Sequence, residues 1–358
     1  MGRLKRDDSG CHIADGGPRL TLAIASYRRP SALVALVRSI AAQTLPRNEF
    51  EVAVVVDGRD EHEPSYREVL CHAISELGLP LRFEVQENAG QSVARHRAIL
   101  AASTPWVVVT DDDMDLSPGF LEAHLGALEA GGEATITIGK IIPEDGWKWQ
   151  PLYEVARTQA MLELHQGLAL GTLRAQASAF VTQNVGFARA RYLAAGGFDE
   201  KLRLGEDTEL GFRLERSGGR YSFVDEASAV HRSRVGSYED WLLRQVEYGR
   251  NAVYIHRKLG GSSTHPLRNL VNGSHLNALA VHSLCWSNTF VRSGIVALRS
   301  LGLVLHKVGL VQPAIGTHKA ILAVAYHLGV REALGSWSAL CIEKRAFGAL
   351  PSRPLDPT

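Results

Sequence analysis

The stretch Val107–Asp113, VVVTDDD, runs three β-branched apolar residues into three consecutive carboxylates, and Met114-Asp115-Leu116-Ser117-Pro118 closes the turn behind it. A short β-branched run of this kind suits a central strand buried on both faces. Adjacent carboxylates at its carboxyl end repel one another unless a cation sits among them. Oxygen-only ligands favour a hard cation such as Mg²⁺ or Mn²⁺, which keeps open positions for substrate phosphates. The plainer alternative is a solvated acidic turn, and the flanking segments decide between the two.

Upstream, strand and helix alternate from Leu20 onward. Leu20–Ala25 reads as a buried strand, and Leu33, Leu36, Val37, Ile40 and Ala41 then recur at helical spacing after Pro30-Ser31. Glu51–Val56 is a second strand ending in Asp57-Gly58, Tyr66–Leu77 a helix, Arg82–Gln86 a third strand, Ser92–Ala101 a helix, and Trp106–Thr110 the fourth strand. Strict alternation predicts an α/β fold with a doubly wound, mainly parallel sheet, whose ligands gather at the carboxyl ends of the strands. Ser26, Asp57, Asn88 and Asp111 all fall at those ends.

Downstream, a strand is expected at Ala134–Ile138, a helix from Leu152 to about Leu168, a polar turn at Thr182–Gly186, a helix from Asp207 to Arg216 and a strand at Tyr221–Val224. Beyond Ser237 the pattern is helical.

The 358 residues carry a formal net charge of +1, so no global field favours nucleic acid, and no nucleic-acid partner is expected. The charge is unevenly placed: residues 1–240 hold 26 Lys and Arg against 34 Asp and Glu, and residues 241–358 hold 13 against 4. Cys11, Cys71, Cys285 and Cys341 are scattered without a C-x-x-C pair, so neither a zinc site nor a disulfide framework is expected. The polar, Gly-rich start and the lack of a long uninterrupted apolar stretch predict a cytoplasmic protein with no cleaved signal and no spanning helix.

Three constellations carry candidate chemistry. Asn88-x-Gly90 forms a turn, Ser92 is a candidate N-cap, and Arg95 lies near the start of the following helix, where a helix N-terminus and a guanidinium suit a phosphate or a nucleotide carbonyl. Gly205-Glu206-Asp207-Thr208-Glu209 opens another helix. Its carboxylates are either ordinary first-turn residues or a general base. His231, just past the strand at 221–224, is a candidate metal ligand.

Five motifs in order resemble the family-two glycosyltransferases of the GT-A fold. They are Ala25-Ser26-Tyr27-Arg28-Arg29-Pro30, Val55-Val56-Asp57-Gly58, Asn88-x-Gly90-x-x-x-Ala94-Arg95, Asp111-Asp112-Asp113 with Pro118, and Gly196-Gly197-Phe198-Asp199-Glu200 leading into Gly205-Glu206-Asp207. The resemblance runs from about Leu20 to Arg234 and implies nucleotide-sugar-dependent, inverting glycosyl transfer. It implies that Ser26, Tyr27 and Arg28 line the base and ribose pocket, that Asp57 and Arg95 contact the base, and that Asp111 lies on the ribose side. Asp112, Asn184 and Glu206 would complete the donor pocket. Asp113 would hold Mg²⁺ or Mn²⁺ with His231 in the metal shell, and Asp207 would be the catalytic base. Many members carry two Asp in the second motif, whereas Val56 stands in the first place here.

The expected organisation is a tail at 1–18, a GT-A domain at 19–236 (nucleotide half 19–115, acceptor half 116–236) and a helical region at 237–358. The last reads as a subdomain packed on the sheet, with peripheral contact to the inner membrane face or a homodimer contact as alternatives. UDP-sugar is the favoured donor by resemblance, and the acceptor is open among saccharide, lipid-linked glycan and small natural product. The competing readings are a sugar-phosphate nucleotidyltransferase, which needs a Gly-rich loop where Ser26–Pro30 has no Gly, and an inactive GT-A binding module, which would have lost the carboxylates retained here.

Overall fold

The computed structural model describes residues 17–232, 235–268 and 275–348. The expected tail at 1–18 lies almost wholly outside them. The chain divides into two compact units: Met1–Glu144 with Leu162–Ser233, and Asp145–Met161 with Arg234–Thr358.

The first unit is built on one sheet. Its elements in chain order are β1 (Leu20–Ser26), α1 (Pro30–Ala41), β2 (Phe50–Asp57), α2 (Glu63–Ser75), β3 (Leu81–Gln86), α3 (Gln91–Leu100), β4 (Trp106–Asp111), β5 (Met114–Leu116) and α4 (Phe120–Gly131). There follow β6 (Thr135–Pro143), α5 (Leu152–Ala169), which begins in the second unit, β7 (Asn184–Ala188), α6 (Arg189–Ala194), α7 (Glu206–Arg216) and β8 (Arg220–His231). The eight strands lie in the order β3-β2-β1-β4-β7-β6-β8-β5. The first four pair in parallel, and every residue of β1 and β2 is buried. Each such Val, Leu or Ile contributes about 1.5–3 kcal/mol of burial. Leu33, Leu36, Val37 and Ile40 form the buried stripe of α1, at the helical spacing that puts them on one face.

Three local expectations are corrected. The turn expected at Thr182–Gly186 is in part β7, Asn184–Ala188, which lies antiparallel between β4 and β6. Its five residues NVGFA are too few to display a period, and all are buried because the strand is central. The strand expected at Tyr221–Val224 continues to His231 past a register shift opposite Gly139/Lys140, where the polar run Asp225-Glu226 hides its continuation. The helix α3 starts at Gln91 with Gly90 as its N-cap at φ 100, so Ser92 lies inside the first turn. Glycine alone takes that backbone conformation without strain.

The second unit is helical: α8 (Tyr238–Leu259), α9 (His275–Leu284), α10 (Asn288–Lys307), α11 (Val311–Leu334) and α12 (Trp337–Gly348). Ser237 caps α8, its Oγ accepting the Asp240 N–H at 3.0 Å. Helices α8 and α11 touch backbone to backbone, because a Cβ on Gly249 would strike the Tyr326 carbonyl and one on Gly329 the Val246 carbonyl. Val253, Leu267, Val281, Val291, Ile321 and Val324 fill the core.

Candidate active site

The carboxyl ends of the parallel strands place the motifs. Register pairs Ala25 with Asp111 and Asp57 with Gln86, which sets the last residues of β1 to β4 on one rim. At the end of β1 the buried Ser26 hydroxyl donates to Asp112 Oδ2 and lies 2.8 Å from the Tyr66 hydroxyl, which accepts the Arg29 N–H at 2.7 Å. Arg29 Nη1 donates to Asp113 Oδ2 at 2.6 Å and to Asp112 Oδ1 at 3.3 Å. The mutual repulsion expected of the acidic run is thus partly offset by a guanidinium of the same chain. Between Ser26 and Arg29 the backbone turns sharply, with Arg28 at φ 53. Arg28 donates to Asp60 Oδ2 at 2.9 Å and lies 5.1 Å over the Tyr27 ring. Tyr27 is 41% exposed and rests against Gly58, where a Cβ would meet its ring at 3.1 Å.

Burial pushes Asp112 up to about 6 despite the hydrogen bond from Ser26 and the charge of Arg29. Burial also raises Asp113, but His231 and Arg29 outweigh it and hold that carboxyl below its usual value. His231 arrives by strand pairing. It is the last residue of β8, opposite Met114 of β5, and the Arg232 N–H bonds the Asp113 carbonyl at 2.8 Å. Its Nε2 stands 3.6 Å from Asp113 Oδ1 and 3.2 Å from Gln183 Nε2.

Among the described residues no group of three or more His, Cys, Asp or Glu is arranged as a metal site. Asp113 Oδ1 is nevertheless buried without a hydrogen-bond partner beside the His231 imidazole. One carboxylate oxygen and one imidazole suit a cation that takes its other ligands from water and a diphosphate.

Arg95, 3% exposed, joins two acidic clusters. Its Nη2 donates to Asp111 Oδ1 and its Nη1 to Glu206 Oε1 at 2.9 Å, while its Nε is buried with no partner. Burial and the neighbouring Asp207 charge raise Glu206 to about 7. Burial raises Asp207 too, countered by the Thr208 N–H, which donates to its Oδ1 at 2.7 Å. No described donor bonds the Asp207 Oδ2, so that oxygen keeps its lone pairs for another proton.

Asp57 accepts three N–H groups: Gln86 Nε2 at 2.7 Å and Ala89 N at 2.8 Å on Oδ1, and Gly90 N at 2.9 Å on Oδ2. The carboxylate therefore builds the turn before α3. Because it can only accept, the Gln86 amide must aim its NH₂ at Asp57, which leaves Gln86 Oε1 buried and unpaired.

The motifs that follow β1 to β4 share one rim of the sheet, and a sequence profile described as Glycosyltransferase like family 2 matches residues 18–258. The chain belongs to this family. It is 29% identical over 172 residues to the pre-mycofactocin glycosyltransferase of Mycobacterium tuberculosis, a match covering 46% of this chain and 35% of that protein. It is 27% identical over 225 residues to the validoxylamine A glucosyltransferase of Streptomyces hygroscopicus subsp. jinggangensis, covering 56% of this chain and 52% of that one. The chain thus spans between a third and about half of the length of these two relatives. In structure it is similar to the mannosyltransferase PcManGT from Pyrobaculum calidifontis, solved in complex with GDP-Man and Mn²⁺, with a TM-score of 0.59, 17% identity and coverage of 88% of this chain and 87% of that one. At that identity the likeness speaks for the GT-A fold.

One family-derived expectation meets a different geometry. Asn184 is fully buried: its Oδ1 accepts from His124 Nε2 at 2.7 Å, and its Nδ2 donates to the Lys140 carbonyl at 3.1 Å and the Ala227 carbonyl at 2.9 Å. Burial drops His124 to about 4, so the neutral ring donates to Asn184 and accepts from Thr137 at 2.7 Å. This polar knot ties the sheet to α4 and commits both Asn184 donors and its carbonyl oxygen to partners within the protein. Conversely, Arg29, Gln86 and Tyr66 reach the rim without having been given a role in the sequence reading, while Gln183, in the loop expected to flank the donor sugar or acceptor, bonds His231. Arg29 lies in the first motif but was assigned no part there. Tyr66 carries no local signal, because only the fold brings α2 to Ser26.

Proposed function

We propose that this member of the family transfers a glycosyl group from a nucleoside-diphosphate sugar, a UDP-sugar before others, to an acceptor hydroxyl by a single displacement that inverts the anomeric carbon. The observation that carries the reading is the Arg95 bridge, which joins the Asp111–Asp113 run to the Glu206-Asp207 turn. A displacement in line needs charge stabilisation for the leaving group and a base for the attacking hydroxyl, and the two acidic clusters supply one each.

Tyr27 offers an exposed ring for the base to stack on, and the unpaired Gln86 Oε1 suits the imide N–H of uracil. The free Arg95 Nε suits a base carbonyl. Asp113 and His231 would hold Mg²⁺ or Mn²⁺, which when bound offsets the charge gathering on the leaving diphosphate. Arg29, 40% exposed at its side chain and already between Asp112 and Asp113, adds fixed positive charge to the same place. Asp207 accepts the acceptor's proton on Oδ2. Burial, with the nearby Asp111 charge, raises its affinity for protons against the Thr208 N–H and Arg95, which makes it a stronger base than a solvated carboxylate. Incubation with a panel of nucleotide sugars and Mn²⁺, reading release of the nucleoside diphosphate and thermal stabilisation, tests the reading; no release and no stabilisation by any member would end it.

A further inference from the structure

Helix α10 is committed on one side only. Val291, Ile295 and Gly302 turn into the core of the helical unit, and a Cβ on Gly302 would collide with Thr317 and His318 of α11. Away from them Phe290, Ala297, Leu301, Val304 and Val308 follow one another at i, i+7, i+11, i+14 and i+18, a single apolar line along the helix. Phe290 is 46%, Leu301 49%, Val304 57% and Val308 66% exposed. Trp286, half exposed, stacks on Phe290 with ring centroids 4.4 Å apart, and the exposed Leu310 and Val311 extend the line at its other end. At 1.5 Å per residue the line from Phe290 to Val308 is about 27 Å long. Exposed apolar residues on soluble proteins are ordinarily scattered singly, so an unbroken row calls for an occupant.

The charge around the row names that occupant. Arg292, His306 and Lys307 are exposed and at helical spacing all lie on the same side of the row, where Val296, 64% exposed, and Leu303, 50% exposed, add further apolar surface. No Asp or Glu occurs from residue 248 to residue 331. A second copy docked by this face would bring these cations together with no carboxylate on the helix to answer them. By length and composition α10 could cross a membrane, but Arg292 and Arg299 within it, the latter seated 3.9 Å over the Tyr238 ring, and its side packed on the helical core speak for a helix lying on the surface.

We propose that the outward face of α10 docks on an anionic lipid bilayer, with the Trp286–Val311 row, Val296 and Leu303 among the acyl chains just below the headgroups and Arg292 and Lys307 reaching the lipid phosphates along one side of that face. The surface belongs to the helical unit alone and does not rest on the reading of the carboxylate cleft. A chain held there meets lipid-borne acceptor hydroxyls.

The test is co-flotation of the full chain with vesicles of phosphatidylcholine mixed with phosphatidylglycerol, and with phosphatidylcholine alone. Binding to the mixed vesicles is expected, weakened by salt, and reduced on the order of tenfold or more by Leu301→Glu with Val304→Glu. Arg292→Glu with Lys307→Glu is expected to lower affinity for the mixed vesicles on the order of thirtyfold and to leave the weak binding to phosphatidylcholine alone unchanged. All four positions are exposed, and an unaltered Tm confirms that each variant is folded. Absence of flotation with the anionic vesicles, or flotation indifferent to the glutamates, overturns the proposal. So does a dimer in sedimentation velocity that Leu301→Glu dissociates while vesicle binding is absent.

Discussion

Arg95 donates from Nη1 to Glu206 Oε1 at 2.9 Å, joining the first turn of α7 to the helix that follows β3. Both side chains are almost wholly buried, so neither charge has water to fall back on. Breaking such a pair from one side leaves an uncompensated charge and typically costs about 3–5 kcal/mol, more than the intact pair contributes over an apolar substitute. Arg95→Met is therefore expected to lower unfolding free energy by about 3 kcal/mol in urea denaturation. Arg95→Met with Glu206→Gln is expected to recover part of that loss, since the stranded carboxylate is gone. Additive losses would mean that the two residues act independently.

The same pair sets a pH dependence. Glu206 holds its proton up to about 7 rather than the usual 4.5, because burial and Asp207 disfavour its charge. The folded chain thus binds a proton more tightly than the unfolded chain between these values. Its stability should fall as pH rises from about 4.5 to about 7 and level off above, as far as this group decides it. Turnover should run the other way, rising as Asp207 loses its proton. Glu206→Gln fixes the neutral side chain, so the fall in stability between these values is expected to vanish, read by urea denaturation at several pH values. A fall of the parental size in the variant would assign the dependence to another group.

Asp113 and Asp115 differ in their surroundings. Asp113 is buried with an unpaired oxygen facing His231, whereas Asp115 sits in an exposed ion pair with Arg232. Asp113→Ala is expected to abolish Mn²⁺-dependent nucleotide binding in calorimetry, and Asp115→Ala to change it less than about threefold, as befits an exposed pair. Equal losses in both would point to a structural role for the whole turn.

Asn184→Ala is expected to cost about 1–3 kcal/mol of stability, because His124 and two backbone carbonyls lose their partner in a dry interior. Donor affinity, read by titration of the folded variant, should stay near that of the parent. A large loss of affinity at unchanged stability would return Asn184 to the donor pocket.

How much of this was legible depended on whether a signal was local. The run VVVTDDD carries both its burial and its charge within seven residues, and the parallel order of β1 to β4 follows from alternation around it. Strand β7 was illegible because five residues containing Gly186 show no period, and its antiparallel course depends on the neighbours it joins. Asn184 looked like a site residue for the same reason that it is structural: a polar side chain on a short apolar strand needs partners, and the sequence does not tell protein partners from ligand. Ser92 lost the N-cap to Gly90 because Asp57 draws the Ala89 and Gly90 amides into a turn that only glycine completes. The Arg29 contact with Asp112 and Asp113, and the Tyr66 bond to Ser26, arise only when α1 and α2 pack beside the strand ends.

The central claim is that Asp207 takes the proton in metal-dependent glycosyl transfer, and the most direct measurement compares Asp207→Asn with the parent in Mn²⁺-supported release of nucleoside diphosphate from the active nucleotide sugar. Loss of a general base costs about 10²–10⁴-fold in rate. The account predicts a fall of that size in kcat with nucleotide affinity near that of the parent. Retention of the parental rate by Asp207→Asn, with Glu206→Gln inactive instead, would contradict it.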